Sequence, residues 1–324
     1  MRTRAMVALL AIAFAAGCGP SSTPPSPVTV APVDVMPSGA EEVPPDPVPA
    51  EDDCDSEASL YPGPLPAPGS MPPGSTMAAI AERGRLIVGV DQNTNLFGYR
   101  DPSSGQLQGF DIDVAREIAR AIFGDPDRID PQVREADQRV SALTSGQVDL
   151  VVRTFSITCE RKEEVAFSTT YFVANQRILV LKGSGIKSSA DLAGKRVCAV
   201  RGTTSLPALS GLDPRPKVFA VNNWTDCLVM LQQAQVDAIS TDDSVLWGLQ
   251  KQDPNVEVVG ESIRREPYGI GINREHDDLV RFVNGVLAEM RADGTWQRLY
   301  DKWLHEFGPS SGPPTARYQD GPPG

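Results

Sequence analysis

The sequence is poor in the residues that build metal and hydrolytic centres. Its 324 residues include two histidines, His276 and His305, and five cysteines, with no Cys-x-x-Cys pair and no cysteine beside either histidine. A zinc site has no ligand set to stand on, and we expect neither a metal nor a cofactor. A Gly-x-x-x-x-Gly-Lys phosphate loop is missing, and no nucleophile–histidine pair is visible, which disfavours nucleotide hydrolysis and triad chemistry. Positive charge is also short: 30 Lys and Arg face 42 Asp and Glu, for a formal net charge of −12. That balance lacks the field that gathers phosphates, so nucleic acid is excluded as a partner. It sets no limit on the local charge of a pocket. Apolar residues at 40% and charged residues at 22% are ordinary for a soluble globular chain.

The apolar stretch Ala5–Ala16 is too short to span a bilayer, but it follows basic Met1–Arg4 in the manner of an export signal. Ala15-Ala16-Gly17-Cys18 resembles a bacterial lipobox, with Ala15 where leucine is usual. Lipidation of Cys18 would anchor the chain to the outer face of the cell membrane; ordinary cleavage after Ala15 would release it. We expect the anchor, and export in either case. Cys54, Cys159, Cys198 and Cys227 remain, an even count that suits disulfides in an exported protein and permits three pairings.

From Gly19 to about Ser75 the chain is crowded with Pro, Ser, Gly and acidic residues. It cannot bury enough apolar surface to fold alone and reads as a semi-rigid tether. The tail from Pro309 to Gly324 has a similar composition and is expected to be disordered. Between them, strand and helix patterns alternate. Leu86–Val90, Asp149–Val152, Arg177–Leu181, Arg196–Val200 and Val236–Ile239 read as strands. Phe110, Val114, Ile118 and Ile122 mark an amphipathic helix, as do Trp224–Gln233, Leu279–Met290 and Trp296–Trp303. This alternation predicts α/β layers with largely parallel sheets.

The segment Asp149-Leu-Val-Val-Arg-Thr-Phe-Ser-Ile-Thr-Cys-Glu-Arg161, followed by Val165-Ala-Phe-Ser168, carries a resemblance. So do Gly109-Phe-Asp-Ile-Asp113, Gly194–Val197 with Gly202-Thr-Thr-Ser205, Tyr268-Gly-Ile-Gly-Ile272, and Asp293-Gly-Thr-Trp296 with Tyr300-Asp-Lys-Trp303. Each is weak alone; five in order are not. Over about residues 78 to 308 the chain resembles the extracytoplasmic polar amino-acid-binding proteins of ABC transporters, solute-binding family 3, and within them glutamine-, glutamate- and aspartate-binding lipoproteins. The resemblance implies the type II periplasmic-binding-protein-like fold, two lobes with a ligand cleft between them. The crossings would lie near Tyr171–Gln176 and Glu266–Tyr268. Residues 1–18 would be the signal, 19–76 the tether, 77–172 plus 269–308 the first lobe, 173–268 the second, and 309–324 the tail. It also implies disulfides Cys54–Cys159 and Cys198–Cys227.

An amino acid bound away from water needs partners for its carboxylate, its ammonium and its side chain, because a buried unpaired charge is costly. Arg161 suits the carboxylate, since its planar fork makes paired charge-assisted bonds; by resemblance Thr154 and Ser156 assist it. The competing role is a surface ion pair with Glu160 or Glu163. Gly202, Thr203 and Thr204 follow a strand and open a helix, where free N–H groups attract anions or serve only as a cap. Asp242 suits the ammonium, with Asp243 as competitor. By resemblance Arg139 matches the position where glutamate and aspartate binders place a second arginine, and Arg153 adds another positive charge; together they favour a ligand with a second carboxylate, unless they pair with Glu135 or Asp137 at the surface. A guanidinium also donates to an amide oxygen, so Gln and Asn stay open. Asp91, after the first strand, completes the candidates.

The expected protein is a monomer that captures an amino acid by hinge closure. Its partner would be the membrane permease of an ABC transporter or a membrane sensor protein. The rival is an exported enzyme on the same fold, similar to cyclohexadienyl dehydratases, because fold alone does not fix function. We expect no enzyme.

Overall fold

The computed structural model describes residues 36–45 and 54–322. The proposed signal and Cys18 lie outside the described residues. Two sheets dominate the rest. The first runs in the order Ile129–Val133, Leu86–Val90, Leu150–Val151, Gly271–Asn273, Val165–Phe167. Its first three strands are parallel, and Gly271–Asn273 pairs antiparallel to both of its neighbours. The second runs Glu41–Val43, Lys217–Val221, Arg196–Val200, Ala238–Asp242, Phe172–Leu181, Val256–Tyr268. Only its three inner strands Lys217–Val221, Arg196–Val200 and Ala238–Asp242 are mutually parallel, so the sheets are more mixed than the strand–helix alternation predicted.

Helix Phe110–Phe123 shows why the chain folds this way locally. Phe110, Val114, Ile118 and Ile122, four apart, are all fully buried, one stripe turned to the first sheet. Gly124, in the left-handed region, ends the helix. In the second sheet Cys198 and Val200 face one apolar cluster while Val197 and Ala199 face another. Arg196–Val200 thus reads as a continuous apolar run because helices cover both of its faces. Cys198 is bonded to Cys227 on helix Trp224–Gln232, with their Cα atoms 5.5 Å apart.

Two strands carry the chain from one sheet to the other. Phe172–Leu181 leaves the first lobe and Val256–Tyr268 returns to it, paired antiparallel from Phe172 with Tyr268 to Gln176 with Arg264.

The terminal segments depart from expectation. The tail is tied down as far as Asp320: Arg317–Tyr318 pairs parallel with Ala58–Ser59, and Asp320 accepts from Tyr61 N at 2.5 Å and from Arg281 at 2.6 Å. Ser59 in turn donates to the Phe167 carbonyl at 2.6 Å and accepts from Asn284 at 2.9 Å. Neither segment has the apolar surface to fold alone. Each supplies the strand and charge partners that the other lacks, on a lobe already formed. Upstream, Glu41–Val43 adds an antiparallel edge strand to the second sheet, and Glu41 pairs with Arg201 at 2.6 Å. Cys54 is bonded to Cys159, Cα atoms 6.0 Å apart, so the tether touches both lobes.

Candidate ligand site between the lobes

In the first lobe, strand Leu150–Val151 runs out toward the short helix Cys159–Lys162. Between them Thr154 takes a φ of 37°, which a β-branched residue adopts only where its surroundings impose it. Its N–H donates to the Asp111 carboxylate at 2.9 Å, and its carbonyl accepts from Arg139 at 3.3 Å. Tyr171 donates its hydroxyl to Asp111 at 2.8 Å. Burial nevertheless pushes Asp111 up to about 6, against both of those bonds.

Thr158 caps helix Cys159–Lys162 by accepting from the Arg161 N–H at 3.2 Å, which fixes where Arg161 starts. Its guanidinium lies 4.9 Å from the Phe155 ring centroid and donates to the Ser156 carbonyl at 2.6 Å. Across the cleft it reaches the Gly202 carbonyl at 3.0 Å. Its donors go to these carbonyls rather than to Glu160 or Glu163. Burial draws its pKa down to about 10, opposed by Glu266 and Asp242.

Arg139 is 2% exposed and lies over the same Phe155 ring, 4.2 Å from its centroid. Its donors reach the carbonyls of Ala136 at 2.8 Å, of Arg153 and Thr154 at 3.3 Å each, and of Gly202 at 2.8 Å. Burial and then the charges of Arg161 and Arg153 hold its pKa well below the usual arginine range. Arg153 is paired with Asp91, Nη2 to Oδ2 3.2 Å, both nearly sealed from solvent. Breaking a pair buried to this degree costs about 3–5 kcal/mol, because the partner left behind is an uncompensated charge.

The second lobe supplies the facing wall. Strand Arg196–Val200 leads to Gly202–Thr204 and then to helix Ser205–Ser210. Gly202 has φ +70°, and a Cβ there would lie 2.5 Å from the Asp137 Cα; glycine is what lets the lobes meet. Thr203 donates to the Val200 carbonyl at 2.6 Å, and Thr204 donates to Glu266 at 2.9 Å. Asp242 ends strand Ala238–Asp242. Its Oδ2 accepts from Tyr268 at 2.5 Å, while its Oδ1 is buried without a hydrogen-bond partner. Burial, then the nearby Glu266, holds its pKa well above the usual carboxylate range. Asp243 instead accepts from the N–H groups of Asn175 and Ser244, which serves the crossing strand and the following helix.

Together these elements close around a small cavity of about 10 Å³. Of the candidates from the sequence, Arg139, Arg153, Thr154, Ser156, Arg161, Thr203, Thr204 and Asp242 line it. Gly202 does not line it; its carbonyl accepts from both Arg139 and Arg161. Asp91 does not line it; its carboxylate holds Arg153 and the turn at Gln92–Thr94. Sequence reasoning misses Ser205, Trp224, Thr241 and Val245, which also line the space, and Glu266 behind Thr204. Ser205 and Thr241 flank predicted residues and follow from strand and loop register. Trp224 and Val245 arrive from helices that point no motif at the cleft.

The model of the bacterial extracellular solute-binding proteins, family 3, matches residues 86–306. The chain belongs to this family. A family relative, the ABC transporter glutamine-binding protein GlnH of Bacillus subtilis, is 38% identical over 232 residues, covering 71% of this chain and 85% of the relative. The glutamate-binding protein GluB of Corynebacterium glutamicum is 31% identical over 254 residues, covering 75% of this chain and 86% of the relative. Among solved structures, a solute receptor for L-cysteine from Neisseria gonorrhoeae matches with a TM-score of 0.70 and 30% identity, covering 74% of this chain and 99% of that one. These family 3 likenesses agree with the two lobes, the paired crossings and the cleft described above.

Proposed function

We propose that this protein captures a free polar amino acid, glutamate, aspartate or one of their amides, in the cleft between its lobes. The observation that carries this reading is the cavity's charge pattern: three guanidiniums on one side and, opposite them in the lining, Asp242 with an unpartnered buried oxygen. Arg161, with Thr154, Ser156 and the Gly202–Thr204 loop, would receive the α-carboxylate. Asp242 Oδ1 would receive the ammonium. A cationic side chain would meet Arg139 and Arg153 and be repelled. The names of the relatives, glutamine- and glutamate-binding, support the same class.

Lobes of residues 77–172 plus 269–308 and 173–268 would close on the ligand by bending at Tyr171–Gln176 and Glu266–Tyr268. The closed monomer would deliver its ligand to an ABC permease. Export, with lipidation at Cys18, would keep it at the outer face of the membrane. The test is calorimetry on protein unfolded and refolded to remove carried-over ligand. Glu, Asp, Gln, Asn and Arg are titrated into wild type and Arg161→Ala. Saturable binding of an acidic amino acid or its amide, abolished by the substitution, supports the reading. Heat from none of the five rejects it and returns the enzyme reading, tested by turnover of prephenate or arogenate.

A further inference from the structure

Residues 54–61, at the end of the tether, are seated on the first lobe by several contacts. Cys54 is bonded to Cys159, and Lys162 Nζ donates to the carbonyls of Asp55 at 3.2 Å and Ala58 at 2.8 Å. Asn284 donates to the Ser59 hydroxyl at 2.9 Å and to the Leu60 carbonyl at 2.7 Å. None of these touches the strands that join the lobes. Glu57 does. Among the described residues of this segment, it is the one whose side chain bonds to a crossing strand.

Its carboxylate joins two points. Thr170 donates its hydroxyl to Glu57 at 2.9 Å. It stands just before the outgoing strand Phe172–Leu181 and is fixed to the first lobe: Arg291 donates to its carbonyl at 2.8 Å, and the N–H of neighbouring Thr169 donates to Asn284 at 2.7 Å. The second point is Arg265, on the returning strand opposite Asn175. Its two terminal nitrogens meet the two oxygens of Glu57 at 2.5 and 3.2 Å, the fork geometry that strengthens an arginine–carboxylate pair. From Arg265 to Tyr268, the last residue of that strand, the extended chain covers about 10 Å. Glu57 therefore spans a stretch of the crossings in which a bend would fall. Bending there changes the separation of Thr170 and Arg265, and a carboxylate that holds both at ordinary hydrogen-bond lengths tolerates little change. The Glu57 contacts are made while the lobes are joined at the Gly202 carbonyl, so they favour that arrangement over one with bent crossings.

We propose that Glu57 is a positioning residue of the hinge, tying the tether to the base of one crossing and the middle of the other and shifting the lobes toward closure. The segment that leads to the N-terminus thereby tunes the affinity of the cleft for every ligand alike. This rests on the lobes closing around an amino acid.

The test reads lobe separation and affinity on the full mature chain. Spin labels at Glu82→Cys in the first lobe and Lys187→Cys in the second, both exposed positions, report the distance between lobes by pulsed double electron resonance. Labelled protein with and without Glu57→Ala or Arg265→Ala is measured ligand-free and with saturating glutamate or glutamine. Calorimetry and thermal melts are run on the unlabelled forms. Glu57→Ala is expected to move the ligand-free distances away from the ligand-bound ones. It is also expected to weaken glutamate and glutamine by one shared factor of about 2- to 10-fold, the range of a net hydrogen bond. Arg265→Ala is expected to match it, and the double variant to add little, because both remove one contact. Glu57→Gln keeps an acceptor for Thr170 without the charge pair and is expected to fall between. Unchanged distances in Glu57→Ala, with or without a lowered melting temperature, overturn the proposal and leave the cleft an amino-acid site; so does loss of one ligand alone. Binding of neither amino acid by wild type rejects the cleft reading, and the ligand-free distances then support or overturn the hinge role by themselves.

Discussion

Tyr268 donates its hydroxyl to Asp242 at 2.5 Å and lies within 2.8 Å of the Ser244 hydroxyl. The residue at the end of the returning strand is thereby bonded to the carboxylate proposed to receive the ligand ammonium. Ligand charge and hinge position meet at one hydrogen bond.

That bond sets a pH dependence. Burial and Glu266 favour the protonated form of Asp242, and the Tyr268 hydroxyl opposes them. An ammonium requires the carboxylate, so the acid form must lose its proton when ligand binds. Affinity should therefore fall as pH drops through the raised pKa of Asp242, and binding should release protons. Titrations in buffers of different ionisation enthalpy measure this directly. Tyr268→Phe removes the opposing donor, so it should shift the fall in affinity to higher pH. An unchanged profile in Tyr268→Phe would detach the hinge from the site.

Asp111 gives a separate prediction about stability. Its pKa is 3.8 in the ordinary range and about 6 when folded. The folded chain therefore holds this proton to higher pH than the unfolded chain does. Its contribution is full below the ordinary value and is lost as pH rises to about 6. Melting of the ligand-free protein should show this decline, and Asp111→Asn should flatten it.

Much of this was legible beforehand, and the reasons differ by residue. Phe110, Val114, Ile118 and Ile122 announce their helix because one face is buried. Arg161 and Asp242 stand out because a strand, a loop and a charge recur in a known order. Strand Ile129–Val133 was not legible, since Pro131 interrupts it and all five residues are only half-buried at the sheet edge. Glu266 reads as a crossing residue, and only the pairing of the two crossings brings it to Thr204. The tail's order was hidden for a related reason. Its partner strand lies some 260 residues away in sequence, as the separation of 259 between Tyr61 and Asp320 shows.

Closure itself is testable away from the ligand. Gly248, on helix Asp243–Gln252, packs so closely that a Cβ would lie 2.6 Å from the Asn95 carbonyl. Along the same seam the Trp247 and Phe307 rings stack at 4.7 Å, and Lys251 pairs with Glu306 at 2.8 Å. Gly248→Ala should hold the lobes apart and weaken every amino acid by the same factor. Trp247→Ala should act in the same direction through loss of the stack, worth about 0.5–1.5 kcal/mol beyond its area. Small-angle scattering with saturating ligand would show a larger radius of gyration in Gly248→Ala. Selective loss of one ligand would place these residues in recognition instead.

The two disulfides should separate under mild reductant. Cys198 and Cys227 are fully buried, whereas Cys54 is exposed and Cys159 half-buried. The Cys54–Cys159 bridge should open first. It spans 105 residues, and closing a loop of that size stabilises by about 4.7 kcal/mol in the chain-entropy model. Its loss should lower the melting temperature markedly. Cys159 also begins the short helix that places Arg161, so the bridge holds one end of the proposed carboxylate site. Cys54→Ser/Cys159→Ser should therefore weaken amino-acid binding as well as stability, with Cys198–Cys227 intact by peptide mapping. Unchanged affinity at a lowered melting temperature would confine the bridge to holding the tether, with Thr158 alone sufficient to place Arg161.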